Sequence, residues 1–380
     1  MHVTRRGFMK NCTVSAAALP FLGALHIDYC EAGVVDDIDW NMRYPQGAMR
    51  MGLNENPLGP SPLAVEAAKK GVEICNRYPA PKTLREVLAE HHGLDEEWVL
   101  VSNGSGEMLK IIPLVYSREA GDNVISPREA YRKTPRYAGK LGATAKYVNL
   151  RADDNYSYDI EAMLKAVDQN TRIFYAVNPN NPTGSVLSYD DLKSIADALP
   201  KHVMFVIDEA YAQYTPNLRT GIDLLKEGYR NVIITRTFSK AYALAALRCG
   251  YGVGHPDSMK KIVQFGASYD TLNIAAYGAV QATLHDHEHL ERSRRFATEA
   301  LNYYKNGCKK LGLPYISGPV DLPYIMIETG PGTDAIQKEL EKRLIYVRTG
   351  VGYDLPNHLR ISCGLPEQNQ AFFRELKTLV

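Results

Sequence analysis

The sequence has almost no excess charge of either sign. Its 44 lysines and arginines stand against 43 aspartates and glutamates, a formal net charge of +1 over 380 residues. No basic run points to a nucleic-acid partner. A membrane-spanning run is missing as well: the mildly apolar stretch from Val14 to Leu25 is too short for one, so stable membrane insertion is not expected. The six cysteines show neither a C-x-x-C pair nor zinc spacing, and their positions identify no disulfides. Cys249 and Cys363 read as buried thiols. No internal repeat or low-complexity segment occurs. The 24 tyrosines read mostly as packing or surface residues. His285, His287 and His289 alternate, which on a helix splays them around the axis, so a solvated face is favoured over a metal site. At 45% hydrophobic residues, the chain can bury one large domain and a smaller one.

What is present is a set of four short apolar runs, each ending on polar residues. Val99–Ser102 leads into Asn103-Gly104-Ser105-Gly106-Glu107. Arg172–Val177 leads into Asn178-Pro179-Asn180-Asn181-Pro182-Thr183-Gly184. Val203–Ile207 leads into Asp208-Glu209-Ala210-Tyr211, and Val232–Arg236 into Thr237-Phe238-Ser239-Lys240. Their length and β-branched content suit strands buried on both faces of a parallel sheet. Ligands of open α/β sheets bind beyond the carboxyl ends of the strands, so these four polar ends should converge.

Each end has its own chemistry. Gly104-Ser105-Gly106 before a helix-like segment can seat a phosphate, although alone such a segment is more often a plain turn. Asp208 closes an apolar strand, so its carboxylate needs a partner, and a protonated ring nitrogen would serve. A helix cap or a metal ligand is the alternative. Tyr211, one helical turn on, could donate to a phenolate oxygen or be a core aromatic. Lys240 is followed by Ala-Tyr-Ala-Leu-Ala-Ala-Leu-Arg-Cys-Gly, small and apolar surroundings in which a lysine loses its proton more easily and becomes competent for Schiff-base chemistry. Thr237, Ser239 and Arg248 could share a phosphate dianion.

From about Leu53 to the C-terminus the chain resembles the fold-type I, pyridoxal-phosphate-dependent class I/II aminotransferases, and within them the histidinol-phosphate aminotransferase branch. The motifs that carry the resemblance occur in order. They are Leu53-Asn54-Glu55-Asn56-Pro57, Arg77-Tyr78-Pro79, Gly121-Asp122 with Tyr131, the residues Asn181, Asp208, Tyr211, Lys240 and Arg248, and Leu359-Arg360-Ile361-Ser362. The resemblance implies an α/β fold whose large domain holds a mostly parallel seven-stranded sheet, beside a smaller α/β domain.

It also implies roles. Lys240 would hold pyridoxal 5'-phosphate as an internal aldimine. Asp208 would keep the ring nitrogen protonated, Asn181 and Tyr211 would bind the ring oxygen, and Tyr131 would stack on the ring. Ser105, Gly106, Glu107, Thr237, Ser239 and Arg248, with Tyr78 of a second subunit, would surround the phosphate, which implies a homodimer. Arg360, Arg348 and Asn56 would bind the substrates, an amino acid and a 2-oxo acid, in a ping-pong cycle.

Several branch motifs are altered. Ser126-Pro127-Arg128-Glu129-Ala130-Tyr131 replaces a Thr-Tyr segment, and Gly104-Ser105-Gly106-Glu107 replaces a Gly-Ala-Asp-Glu loop. Ala267–Asn273 stands where a Pro-Tyr-Asn motif is usual, and Pro323-Tyr324 where Asn-Phe is usual. These changes fall on the substrate pocket, where Tyr269 and Tyr324 would favour aromatic side chains. Histidinol phosphate is therefore an alternative substrate and not the first choice. A lyase, decarboxylase or racemase on the same fold is a second class. A cofactor-binding regulator is a third, for which the N-terminal segment leaves no room for a DNA-binding domain.

The N-terminus, Thr4-Arg5-Arg6-Gly7-Phe8-Met9-Lys10, resembles a twin-arginine export signal, followed by Val14 to Leu25. This implies a periplasmic location, with the cytoplasm as the alternative. The expected organisation is a signal over 1–33, an arm and part of the small domain over 34–77, a large cofactor domain over 78–273, and a connecting helix and small domain over 274–380. Expected helices run from Leu63 to Asn76 and onward from Ala275, with small-domain strands at Ile345–Arg348 and His358–Ser362.

Overall fold

A computed structural model describes residues 44–78, 81–266 and 272–380. The paired arginines, the Val14–Leu25 stretch, Pro79 and Tyr269 lie outside the described residues. Two units divide the chain at Gln46, and the fold is carried by the second, Gly47–Val380.

Strand β1 (Met49–Arg50) opens this unit. Helix α1 (Pro62–Glu73) follows, capped by Ser61, whose hydroxyl accepts from the N–H groups of Leu63 and Ala64, with Pro62 at its first position. It stops three residues short of the expected Asn76. The large sheet is built from β2 (Val99–Ser102), β3 (Asn123–Pro127), β4 (Thr144–Val148), β5 (Thr171–Val177), β6 (Met204–Asp208), β7 (Val232–Thr237) and β8 (Gly250–Gly254). Between them run α2 (Ser105–Tyr116) and α3 (Lys133–Lys140), among other helices. The seven strands lie in the order β2-β8-β7-β6-β5-β3-β4. Only β8 runs against its neighbours, pairing antiparallel with both β2 and β7. The carboxyl ends of β2, β5, β6 and β7 therefore share one edge.

Alternation along the central strands explains their apolar runs. Phe174 and Ala176 of β5, Phe205 and Ile207 of β6, and Val232 and Ile234 of β7 face one core. Ile173, Tyr175 and Val177, with Met204, Val206 and Ile233, face the other. A strand covered on both faces has no position left for a solvated side chain.

The chain leaves the large domain through α4 (Ile274–Leu284), capped by Asn273, and α5 (His287–Leu311), capped by Asp286. The expected single connecting helix is thus broken at His285-Asp286. Asp286 takes the N-cap role, its carboxylate accepting from the His289 N–H at 3.0 Å. The break also corrects the reading of the histidines: His285 and His287 are exposed, but His289 is buried.

The small domain adds β9 (Tyr315–Ile316), β10 (Tyr324–Glu328), β11 (Ile345–Tyr346), β12 (Arg348–Gly350) and β13 (Leu355–Ser362). Four of these form an antiparallel sheet in the order β12-β13-β10-β9. The expected strand Ile345–Arg348 is split: β11 pairs in parallel with β1, while β12 turns to β13 and sets Arg348 opposite Arg360.

Three contacts seat the small domain on the large one. Arg132 donates to the Asp354 carboxylate at 2.6 Å and to the Gly352 carbonyl at 2.8 Å. The Tyr324 hydroxyl donates to the Asn180 carbonyl at 2.6 Å. Gly184, at φ +79°, lies so close to Gly318 that a methyl group on Gly318 would overlap the Gly184 carbonyl. Among the described residues no helix is long and apolar enough to cross a membrane.

Candidate active site

The four strand ends do converge. A cavity of about 370 Å³ is lined by Ser105 and Gly106 from the start of α2, Asn181 after β5, Asp208 at the end of β6, and Thr237, Ser239 and Lys240 after β7. Tyr131, Tyr211 and Arg248 line it too, and Arg348 and Arg360 reach it from the small domain.

Lys240 is half-buried, and its Nζ donates to the carbonyls of Leu53 at 2.9 Å and Asn54 at 3.1 Å. Burial first, then the charges of Arg360 and Arg248, push its pKa down to about 7, with Glu55 and Asp208 opposing. A neutral amine is therefore available near neutral pH. Asp208 is buried, and burial raises its pKa to about 6 despite hydrogen bonds from Thr235, the Ala210 N–H and Tyr175. No ion pair reaches its carboxylate among the described residues, so a cationic ring nitrogen would supply what it lacks.

Tyr211 does not sit on a helix after Asp208, as the spacing suggested. It precedes a single 3₁₀ turn, Ala212–Tyr214. Its hydroxyl accepts from Asn54 Nδ2 at 2.8 Å, which leaves its own proton free to donate. Asn181 Oδ1 accepts from Arg360 Nη1 at 2.9 Å, so its amide nitrogen is the group left for the cavity. Arg360 also donates to the Tyr353 hydroxyl and the Gly52 carbonyl, both at 2.5 Å. Its Nε is buried without a partner.

At the other end, the loop before α2 forms a cradle. A methyl group on Gly104 would strike Arg248 Nη2, and one on Gly250 would strike the Ser105 N–H. Gly104 itself has φ +82°, a conformation that suits glycine. Hydroxyls of Thr237 and Ser239, 3.0 Å apart, stand beside Arg248. Backbone N–H groups, two hydroxyls and a guanidinium at a helix N-terminus make a site for a phosphate dianion.

The chain matches the family "Aminotransferase class I and II" over residues 46–375. It belongs to this family. Among curated relatives, "Histidinol-phosphate aminotransferase 1" of Idiomarina loihiensis is 36% identical over 338 residues, covering 88% of this chain and 90% of that protein. The corresponding Nitrosococcus oceani protein is 35% identical with the same coverage. A solved structure from Erwinia carotovora atroseptica, provisionally designated a histidinol-phosphate aminotransferase, superposes with a TM-score of 0.81 at 28% identity, covering 87% of this chain and 96% of that one. Histidinol-phosphate aminotransferase from Sinorhizobium meliloti, solved in complex with pyridoxal-5'-phosphate, gives a TM-score of 0.79 at 24% identity, covering 88% and 92%.

Three residues read from the sequence as site residues do not line this aminotransferase's cavity. Glu107 turns back to accept from the Asn103 N–H at 2.7 Å and so closes the first turn of α2. Asn56 donates to the Ala241 carbonyl and the Ser293 hydroxyl, at 3.0 and 2.8 Å, and so fastens the entry segment. Tyr78 is 95% exposed. Conversely, Asn54, Glu55, Lys133 and Tyr353 line the cavity without having been picked out. Asn54 and Glu55 sat inside a quoted motif. Tyr353 had no signal beyond its place seven residues before Arg360. Of the buried thiols, Cys249 is pushed up to about 12 and Cys363 is also raised, both by burial.

Proposed function

We propose that the cavity is the active site of a pyridoxal-phosphate-dependent aminotransferase acting on an amino acid and a 2-oxo acid. The observation that carries this is the pairing, in one cavity, of a readily deprotonated lysine amine with a buried carboxylate that lacks a counterion. The residues fit the cofactor: Lys240 for its aldehyde, Asp208 for its ring nitrogen, Asn181 and Tyr211 for its ring oxygen, Tyr131 for its ring face, and Ser105, Gly106, Thr237, Ser239 and Arg248 for its phosphate.

Pyridoxal phosphate, when bound, supplies an aldehyde and a protonated ring that takes up the electron pair released at the substrate Cα. Asp208 keeps the ring nitrogen's proton in place. Tyr211 Oη and Asn181 Nδ2 would both be free to donate to the ring oxygen, because their acceptor sides are already occupied by Asn54 and Arg360. Once an incoming amine has displaced it, Lys240 Nζ is a free base next to the reacting carbon. It would take the proton from the substrate Cα and hold it for return as the cycle proceeds. Arg360 would grip the α-carboxylate with its unpartnered Nε and the second N–H of Nη2, because both Nη1 hydrogens are held by Asn181 and Tyr353, and this would fix which bond stands across the ring. Arg348, opposite it, supplies a second cation for an acidic side chain.

The chemistry is tested by adding single amino acids to the purified protein and following its visible spectrum. Transamination leaves the amine form of the cofactor, whereas a lyase, decarboxylase or racemase mostly returns the starting spectrum. The names of the relatives, at 35–36% identity, favour a second substrate reading, histidinol phosphate, with the same arginines receiving its phosphate.

Two further proposals come from sequence motifs. The exposure of Tyr78 suits a residue that completes the phosphate site of a second subunit, and so a homodimer. The paired Arg5 and Arg6 support export of the folded protein to the periplasm.

A further inference from the structure

Lys133 is the one cavity-lining cation for which the mechanism above has no use. It opens α3, two residues past Tyr131, and reaches across to the first turn of α2. There a methyl group on Gly106 would collide with Lys133 Nζ, just as one on Gly104 would collide with Arg248 Nη2. The two cationic tips thus lie over neighbouring glycines of a single loop.

Their surroundings differ. Arg248 Nη1 already donates to the Ala245 carbonyl at 2.7 Å and approaches the Ser239 hydroxyl at 3.4 Å. The Lys133 ammonium makes no hydrogen bond or ion pair among the described residues. Burial, then the charges of Lys110 and Arg248, lower its pKa, with Asp208 opposing. The positive end of α2 adds to the same field. A half-buried ammonium among like charges is unfavourable by itself, and an anion placed between it and Arg248 would offset every one of these terms.

We propose that Lys133 is a second protein cation for the cofactor's phosphate, acting with Arg248 across the Gly104–Gly106 loop. This rests on the cofactor reading given above. Two cations from one protomer then match the two charges of the phosphate. Gly106 is what admits the ammonium, since any side chain there would take its space.

The experiment titrates the cofactor-free protein with pyridoxal phosphate and, separately, with pyridoxal, which lacks the phosphate, following absorbance. Lys133→Met should bind pyridoxal phosphate about 10- to 100-fold more weakly than wild type. It should bind pyridoxal as wild type does, and Lys133→Arg should recover most of the loss. The phosphorus resonance of the bound cofactor should move in Lys133→Met and much less in Lys133→Arg. Should Lys133→Met fail to fold, Lys133→Gln carries the same comparison. Equal affinity of variant and wild type for pyridoxal phosphate overturns the proposal. So does a variant that binds the cofactor normally and loses affinity only for an anionic amino acid, because the ammonium then serves the substrate. A wild-type protein that binds neither compound removes the cofactor reading itself.

Discussion

Arg360 Nη1 donates to Asn181 Oδ1 across 2.9 Å, joining a small-domain strand to a large-domain loop. On the proposed roles, one residue would meet the substrate carboxylate and the other the cofactor ring, so the two binding events would share a hydrogen bond. Asn181→Ala should weaken cofactor binding and also raise KM for 2-oxoglutarate. Arg360→Ala should lower kcat/KM for 2-oxoglutarate by about 100-fold or more. In a double-mutant cycle the pair should couple by about 0.5–3 kcal/mol. Additive losses, or an Arg360→Ala enzyme with wild-type kcat/KM, would contradict the shared bond and the clamp respectively.

Lys240 sets the pH dependence of cofactor loading. Its pKa near 7 lies well below the ordinary 10.5, so the reactive neutral amine accumulates as pH rises through about 7. The rate at which cofactor-free protein takes up pyridoxal phosphate should climb through that pH and level off above it. Borohydride reduction followed by peptide mapping should label Lys240 and no other lysine, and Lys240→Ala should lose the label with nearly all turnover. A label elsewhere would refute the assignment.

Asp208 acts in the opposite sense on stability. Its carboxyl is raised from 3.8 to about 6 in the folded, cofactor-free protein. Between those values the folded state binds the proton and the unfolded state does not. Stability therefore falls as pH rises from about 4 to 6, by roughly 3 kcal/mol in all. Urea denaturation at several pH values should show that slope in the wild type and lose it in Asp208→Asn. An unchanged slope in the variant would assign it to other groups.

If Tyr78 completes the neighbouring subunit's phosphate site, light scattering of the cofactor-loaded protein should give a dimer. Tyr78→Phe should then release cofactor faster without changing the oligomeric state. A fully active monomer would rule the arrangement out.

Export through the paired arginines should be lost on Arg5→Lys/Arg6→Lys. Fractionation of expressing cells should find the wild type in the periplasm and the variant in the cytosol. Wild type confined to the cytosol with Met1 intact would mean the arginines are no signal.

The sheet and the strand-end chemistry were legible because doubly buried strands carry long apolar runs, with polar residues gathering towards their carboxyl ends. Asp208 after Phe205-Val206-Ile207 is the clearest instance. The hydrogen-bond partners of Lys240 were not legible, because the carbonyls of Leu53 and Asn54 belong to the main chain and leave no mark in residue type. Asn56 and Glu107 sat in the right motifs but turn away from the cavity, Asn56 to the distant Ala241 carbonyl and Ser293 hydroxyl and Glu107 to the nearby Asn103 N–H. Lys133 carries no motif signal, and only the fold brings it over Gly106. The break at His285-Asp286 escaped notice because a capping aspartate and a solvated one look alike in a polar stretch.

The backbone crossing of Gly184 and Gly318 acts as a gauge block between the domains. Gly184 is three residues past Asn181, and Gly318 belongs to the domain that carries Arg360. With nothing but main chain between them, the thickness of the seam is fixed by van der Waals radii rather than by any adjustable side chain. On the proposed roles, the spacing between the carboxylate grip and the cofactor ring would thereby be calibrated from outside the cavity. A single added methyl at 318 would act as a shim, resetting that spacing while leaving every group that touches a ligand chemically intact.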